Sequence, residues 1–412
     1  REDLYPSLEK FVENPNGKSS AFLRRAMAAS RTNPSKQNAE SLAKLASYNG
    51  ISIEIRKEAL AHLDSWASEL KRDIITGQSK TTKAGSKEYA SSALKLYTAK
   101  LLADSNISKD TIKVASNLGI KEITPVLLSN ISNHSLAAEQ RRDSLKALEM
   151  LGYEKLLDIS RKSLGDPSDI VRAQAIKILG RNDKSFVMEM FESNFENCSA
   201  KEQQSWVQVL GTTNTDFSRQ KMARLMEQIK SGTAKQHLIL DIMQASQNLG
   251  LKKEFPWASI DPEKPETYAF ALEGGDNLAG RNVFFEKASV SCLRCHKIQG
   301  QGGDVGPDLT GIALKQNRAY LLDAIVHPNK HIAKGYDSFL VTLNNGKTIS
   351  GILKGETPSD LTLMTAEGKI IKVSKNEIDE KTTGKSAMPA DIYKQLSPHE
   401  LRDLVEYLAN LK

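Results

Sequence analysis

Ser291-Cys292-Leu293-Arg294-Cys295-His296-Lys297 is the stretch on which the reading of this chain turns. Two cysteines three positions apart, followed at once by a histidine, have the spacing of a c-type haem attachment site. On one helical turn each thiol can reach a vinyl group of the same porphyrin, and the next residue is carried beneath the iron as its axial ligand. A Cys-x-x-Cys pair is also half of a zinc site, but zinc needs two further ligands. The one remaining cysteine, Cys198, stands far upstream with no other cysteine near it in sequence. A redox dithiol is the other reading. The histidine directly after the second cysteine, and the lack of a thioredoxin-like strand–helix pattern, disfavour it. The expectation is one covalent haem c on Cys292, Cys295 and His296.

The flanks extend the pattern. Gly280-Arg281-Asn282-Val283-Phe284-Phe285 reads as a short amphipathic helix, and a glycine-rich loop at 300–303 leads into Gly306-Pro307-Asp308-Leu309. Ala387-Met388-Pro389 lies near the C-terminus, before a helix over 401–411 with Leu404, Tyr407, Leu408 and Leu411 on one face. Together these segments resemble a class I cytochrome c. The resemblance implies Met388 as the distal ligand. It implies the Pro307 carbonyl as acceptor of the His296 Nδ1 proton and Leu309 as cover over the haem. It also implies Gly280 and Phe284 packed on Tyr407 where the first and last helices cross.

Met364, His327 and His331 compete with Met388 for the distal position. Met364 reads as buried filler in a strand, and the two histidines read as solvated loop residues. Met388 precedes a proline in a turn, which suits a loop-borne ligand. A thioether opposite histidine gives the electron-transfer arrangement with a raised potential. Arg294, Arg318 and Tyr336 are further candidates as neighbours of the porphyrin or its propionates.

The chain has 412 residues, enough for two or three domains with sizeable cores. Its 39% hydrophobic and 26% charged residues fit an ordinary globular composition rather than a disordered one. The net charge of +7 is spread out, with no lysine/arginine block that would mark a nucleic-acid surface. The excess could steer an acidic redox partner. No apolar run approaches the ~20 residues of a membrane span. The first residue, Arg1, opens into helical-looking sequence with no signal peptide. Because bacterial haem c is attached outside the cytoplasm, the expectation is a periplasmic or otherwise exported protein whose export signal lay upstream.

Residues 1–250 repeat a helical pattern. The clearest unit runs from Asp166-Pro167 to Gly180, with Val171, Ala175, Ile178 and Leu179 as its buried face and Gly180 as its cap. Weaker echoes surround Ile55, Ile112 and Leu145, at roughly the spacing of a two-helix repeat. This region resembles HEAT repeats, a solenoid of stacked helix pairs. No catalytic constellation shows in it. His62, His134 and His237 read as structural or surface residues, Trp66 and Trp206 as core, and 76–91 as an exposed loop.

Proline density over 251–267 marks a linker, and 268–412 is the expected cytochrome domain. His296 and Met388 stand 92 positions apart, too many for a plain small cytochrome, so something is inserted at about 336–382. Alternating strands at 338–343, 348–354, 361–365 and 369–373, with turns at Asn345-Gly346 and Glu367-Gly368, make this a small antiparallel β unit. It reads as a lid over one haem edge, a docking surface, or a mere insertion. The fold class expected is therefore mainly α: a HEAT-like solenoid followed by a class I cytochrome c-like domain with a β insertion.

One family resembles this layout: the haem-binding domain first noted in planctomycetes and verrucomicrobia. The residues that carry the likeness are Glu273-Gly274-Gly275-Asp276, Cys292-Leu-Arg-Cys295-His296, Gly306-Pro307-Asp308-Leu309, Gly335-Tyr336 and Met388-Pro389. In that family the domain is commonly fused behind HEAT-like repeats and a sugar-dehydrogenase-like propeller, and this chain has no propeller. The resemblance implies an electron-transfer module rather than an enzyme, taking electrons from a dehydrogenase donor and passing them to a cytochrome or oxidase acceptor. A haem sensor or enzyme with a labile distal ligand, and a HEAT scaffold binding protein or glycan, are the alternatives.

Overall fold

A computed structural model describes residues 4–71, 81–251, 261 and 263–412. The chain is mainly helical, with a small antiparallel sheet near its C-terminus. It divides into two compact units, Arg1–Phe186 and Val187–Lys412. Most of the linker expected at 251–267, and the first part of the loop expected at 76–91, lie outside the described residues.

In the first unit, helices pack on their sequence neighbours. Lys36–Ala46 lies against Ile53–Asp64, Thr124–Ser132 against Ala138–Met150, and Leu156–Ser163 against Asp169–Asn182. Leu42, Ile55, Leu63, Leu94, Leu127, Leu145 and Ile178 are shut off from water in one continuous core. Local chemistry sets the helix ends. The Ser19 and Ser35 hydroxyls accept from the Phe22 and Asn38 amides, which satisfies donors that a helix start leaves free. Gly119, at φ +78°, closes Ser108–Leu118.

Val171, Ala175, Ile178 and Leu179 form the buried face that their spacing predicts. Gly180 does not cap that helix: the helix runs on to Asn182. There Asn182 Nδ2 donates to the Ile178 carbonyl, and Arg181 pairs with Glu149. Asp166 closes the other end, since it takes a bidentate grip from the buried Arg141 guanidinium at 2.9 and 2.8 Å and accepts from the Ser168 amide.

The expected loop over 76–91 is shorter than its composition suggests. Thr82 and Gly85 are pinned to the Leu70 and Trp66 carbonyls, and a helix begins at Lys87. Trp66 is core, as read. Arg31, buried beside it at 5.0 Å, donates to the Trp66, Ser65 and Ser68 carbonyls. The guanidinium thus satisfies carbonyls that the end of Ile53–Asp64 leaves open.

The second unit joins helices from the repeat-like sequence, Ala200–Thr213 and Ile239–Asn248 among them, to the segment carrying the cysteines. Lys201 and Gln204, on Ala200–Thr213, donate to the Gly275 and Gly274 carbonyls at 2.5 and 2.8 Å. Gln236 donates to the Ala269 carbonyl. Asp241, on Ile239–Asn248, pairs with Arg402 of the C-terminal helix Pro398–Leu408. That helix crosses Asn277–Glu286. At the crossing a Cβ on Gly280 would lie 1.9 Å from the Asp403 carbonyl oxygen, so only glycine lets the two backbones meet. Phe284 packs on Tyr407 beside it, ring centroids 6.0 Å apart.

Seven strands form among the described residues: β1 (Lys297–Ile298), β2 (Gln301–Gly302), β3 (Ser338–Leu343), β4 (Thr348–Glu356), β5 (Asp360–Met364), β6 (Ile370–Ser374) and β7 (Ile378–Thr383). β1 and β2 make a minimal hairpin that runs into the expected glycine loop. The others form one antiparallel sheet in the order β6-β5-β4-β3-β7. Gly346 and Gly368, both at φ +80°, make the expected tight turns. Val341, Leu361, Leu363 and Val373 fill the inner face. Within the five-stranded sheet, the strand that the sequence pattern does not mark is β7. Its Ile378-Asp-Glu-Lys-Thr-Thr383 has no apolar alternation because it is an edge strand exposed along nearly its whole length.

Candidate functional site

Cys292–Cys295 is a single helical turn, opened by Ser291 in the left-handed region at φ +46°. A non-glycine residue there is strained, and it turns the chain sharply out of the preceding loop. Both cysteines are free thiols, half-buried on that one turn. Burial pushes the Cys292 thiol up to about 11 and raises Cys295 as well. Thiols so shielded are poor thiolate nucleophiles, unlike the low-pKa cysteine of a dithiol oxidoreductase.

The His296 amide donates to the Cys292 carbonyl at 2.9 Å. Its Nδ1 lies 2.9 Å from the Pro307 carbonyl oxygen. A carbonyl can only accept, so Nδ1 carries the proton and Nε2 keeps its lone pair. Desolvation lowers the pKa of the ring, with the Pro307 contact opposing it, which favours the neutral donor form.

The glycine-rich loop lies close beneath the cysteine turn. The Gly303 amide donates to the Leu293 carbonyl, and the Gly306 amide to the Cys295 carbonyl at 2.7 Å. A Cβ on Gly302 would meet the His296 carbonyl oxygen at 2.1 Å, and one on Gly303 the Arg294 carbonyl oxygen at 2.0 Å. On Gly306 it would lie 2.6 and 2.7 Å from His296 Cε1 and Nδ1. These glycines answer to close approach rather than to loop flexibility, a role that composition alone does not reveal.

Cys292, Leu309 and Met388 pack against one apolar cluster that includes Phe284, Leu322, Ile325 and Leu404. Cys295 sits apart from it, with Val305, Tyr336, Ile352, Met364 and Ala387. Met364, read as strand filler, is the buried end of β5 in this second cluster. The sequence reading did not foresee Val305, Ile352 and Ala387 around Cys295, because two of the three come from segments remote in sequence.

His327 and His331 are not solvated loop histidines. His327 Nδ1 lies 2.9 Å from Asp323 Oδ1, and His331 Nε2 contacts the same carboxylate. Lys330 and the Tyr268 hydroxyl also reach Asp323, at 2.9 and 3.0 Å. These partners hold the Asp323 carboxyl well below the ordinary range despite its desolvation, and they leave both histidines engaged. Arg318 is engaged too, bidentate to Glu406 at 2.6 and 2.9 Å. Arg294 is exposed, and Tyr336 lies under Lys354 at 4.5 Å. Among the residues the sequence singled out elsewhere, His237 bonds Gln203 at 2.8 Å, and Trp206 is core.

Among the described residues no three His, Cys, Asp or Glu side chains gather into a metal-holding group. An iron bound axially by one histidine and one methionine does not require such a group. No described helix is long and apolar enough to cross a membrane. No protein-family model matches the chain, and no curated protein matches it.

Proposed function

We propose that the second unit is a class I cytochrome c module carrying one covalent haem, and that it transfers single electrons from an exported dehydrogenase to a respiratory acceptor protein. The observation that carries this reading is the setting of His296. Its Nδ1 is spent on the Pro307 carbonyl, Gly306 leaves room for the ring, and two free thiols stand on the turn just before it. In that reading Cys292 and Cys295 would hold the porphyrin by thioethers, and His296 and Met388 would supply the protein ligands to its iron. Haem bound there supplies a one-electron couple.

The chain's own groups do the rest. The Pro307 carbonyl fixes the tautomer and orientation of His296 and strengthens Nε2 as a donor. Leu309 and Met388 join the apolar cluster beside Cys292 and so exclude water from that side. Dryness around the site disfavours the extra charge of the oxidised iron and raises the potential. The first unit fits a HEAT-like array of helix pairs, which would offer a partner a long surface. The excess of seven positive charges would favour an acidic partner. Attachment of haem c outside the bacterial cytoplasm implies export.

The test is expression of the chain together with a c-type haem maturation system, read by intact mass and by oxidised and reduced optical spectra. The expected result is one covalent haem, low-spin in both states, with a thioether-to-iron charge-transfer band toward the red that Met388→Ala abolishes. A wild-type chain without covalent haem would falsify the proposal. So would a His296→Ala chain that kept the wild-type reduced spectrum. A high-spin wild-type spectrum that shifts with carbon monoxide would put the sensor reading first.

A further inference from the structure

The five-stranded sheet is tied to the two cysteine-site segments that lie farthest apart in sequence. On one side Ile352 of β4 and Met364 of β5 bury against Val305, with Cys295, Tyr336 and Ala387 packed around them. Gly368, in the β5–β6 turn, lies near Val305 too: a Cβ built on it would stand 3.7 Å from Val305 Cγ2. On the other side the ladder between β3 and β7 runs one step past Thr383, where the Gly384 amide donates to the Ser338 carbonyl at 2.8 Å. The buried Ser338 hydroxyl then donates to the Lys385 carbonyl. A Cβ on Gly384 would come within 2.6 Å of that hydroxyl oxygen.

The next residue is held from a different element. The Ser386 amide donates to Asn329 Oδ1 at 2.9 Å, and the Ser386 hydroxyl accepts from the Met388 amide at 3.2 Å. Asn329 belongs to the loop that His327, Lys330 and His331 fasten to Asp323. Residues 384–386 are therefore fixed from both sides, one residue short of the methionine.

Resting on the haem reading above, we propose that the inserted sheet sets the distal ligand: Ser338 and Asn329 are positioning residues that hold 384–386 and present Met388, while Ile352 and Met364 wall off the Cys295 side. The insertion is then neither decorative nor a detachable lid. It makes the methionine loop a continuation of β7 and keeps the distal position closed to other ligands. A loop so held spends little time with methionine displaced. The apparent affinity for an external ligand falls in proportion to that open fraction. Losing one buried hydrogen bond worth about 1–1.5 kcal/mol raises the open fraction roughly tenfold.

Imidazole titration of the oxidised holoprotein tests this, with covalent haem content measured by mass on the same samples. In Ser338→Ala imidazole binds roughly tenfold more tightly. In Asn329→Ala, whose bond to the Ser386 amide is exposed, it binds more than about twofold more tightly, which serves should the first variant fold poorly. The red charge-transfer band weakens in the variant, and haem content stays at the wild-type level. Imidazole affinity within about twofold of wild type in both variants, with haem fully loaded, overturns this inference alone. Absence of covalent haem from the wild-type chain overturns the function proposed above and this inference with it.

Discussion

The Arg402 guanidinium and the Asp241 carboxylate meet at 2.7 Å with side chains 6% and 0% exposed, although 161 positions separate them. Gln208 donates to the other carboxylate oxygen at 2.8 Å. His399 contacts Arg402 on one ring nitrogen and Gln244 on the other. A charge buried this fully is tolerable only while its partner stays in place. Arg402→Met leaves the Asp241 carboxyl buried without its charged partner, and the expected loss is about 3–5 kcal/mol of second-unit stability. Replacing both residues with apolar side chains returns most of it. Native-state hydrogen exchange along Pro398–Leu408 reads the difference without assuming that the two units unfold together. Equal protection in Arg402→Met and wild type would sink the claim.

The helix crossing allows a sharper steric prediction. An alanine at Gly280 must find room where the Asp403 carbonyl oxygen now lies, 1.9 Å from the added carbon. Backbone cannot swing aside as a side-chain tip can. The helices must separate, and the Phe284–Tyr407 contact goes with them. Overpacking of this kind costs about 1–3 kcal/mol or more. Gly232→Ala, at a position with open space around it, serves as the control, carrying only the strain of its positive φ. Thermal unfolding of the two variants should rank Gly280→Ala clearly below the control.

Asp403 predicts a pH dependence. Burial raises its carboxyl to about 6 from an ordinary 3.8, against the opposing pull of the Asp276 amide, Arg402 and Lys201. The folded protein therefore holds this proton over a pH range where the unfolded chain has lost it. The stabilisation is fully present below about pH 4 and is lost as pH rises through about 6, a swing of roughly 2–3 kcal/mol. Glu400 and Glu406, whose carboxyls are lowered by Lys287 and Arg318, act in the opposite sense at lower pH. The difference between wild type and Asp403→Asn isolates the Asp403 contribution, since the amide oxygen can still accept from Asp276. Parallel stability curves for the two proteins between pH 4 and 7 would refute the assignment.

What the sequence reveals follows from how far each interaction reaches along the chain. The cysteine turn, the helix holding Val171 and Ile178, and the Asn-Gly hairpin of β3 and β4 are local patterns, and all are legible. Gly280 and Tyr407 meet far apart in sequence, and only the resemblance to a known arrangement places them together. Nothing local announces that Asp241 waits for Arg402, or that Asp323 gathers His327 and His331 out of solvent. β7 escapes because an exposed edge strand needs no apolar alternation. The helices just before residue 250 read as more of the same repeat, yet Gln204, Gln236 and Asp241 send their polar groups to the C-terminal segment. Periodicity describes which face of a helix is buried and says nothing of what it is buried against.

Gly306 offers the most direct test of how the proposed iron ligand is held. Its missing side chain leaves space for the His296 ring, and an alanine would place a methyl 2.6 Å from Cε1 and 2.7 Å from Nδ1. The ring must then tilt away, and the 2.9 Å contact with the Pro307 carbonyl breaks. Gly300, one turn of the same loop away, has φ +80° and nothing within 4 Å of an added carbon. Gly300→Ala therefore carries backbone strain of about 1–2 kcal/mol but leaves the ring untouched. If His296 is the proximal ligand, Gly306→Ala weakens or abolishes the low-spin spectrum, whereas Gly300→Ala keeps it while unfolding at a lower temperature. Spectra that change alike in the two variants would mean that loop strain, and not the clearance over the imidazole, governs the site.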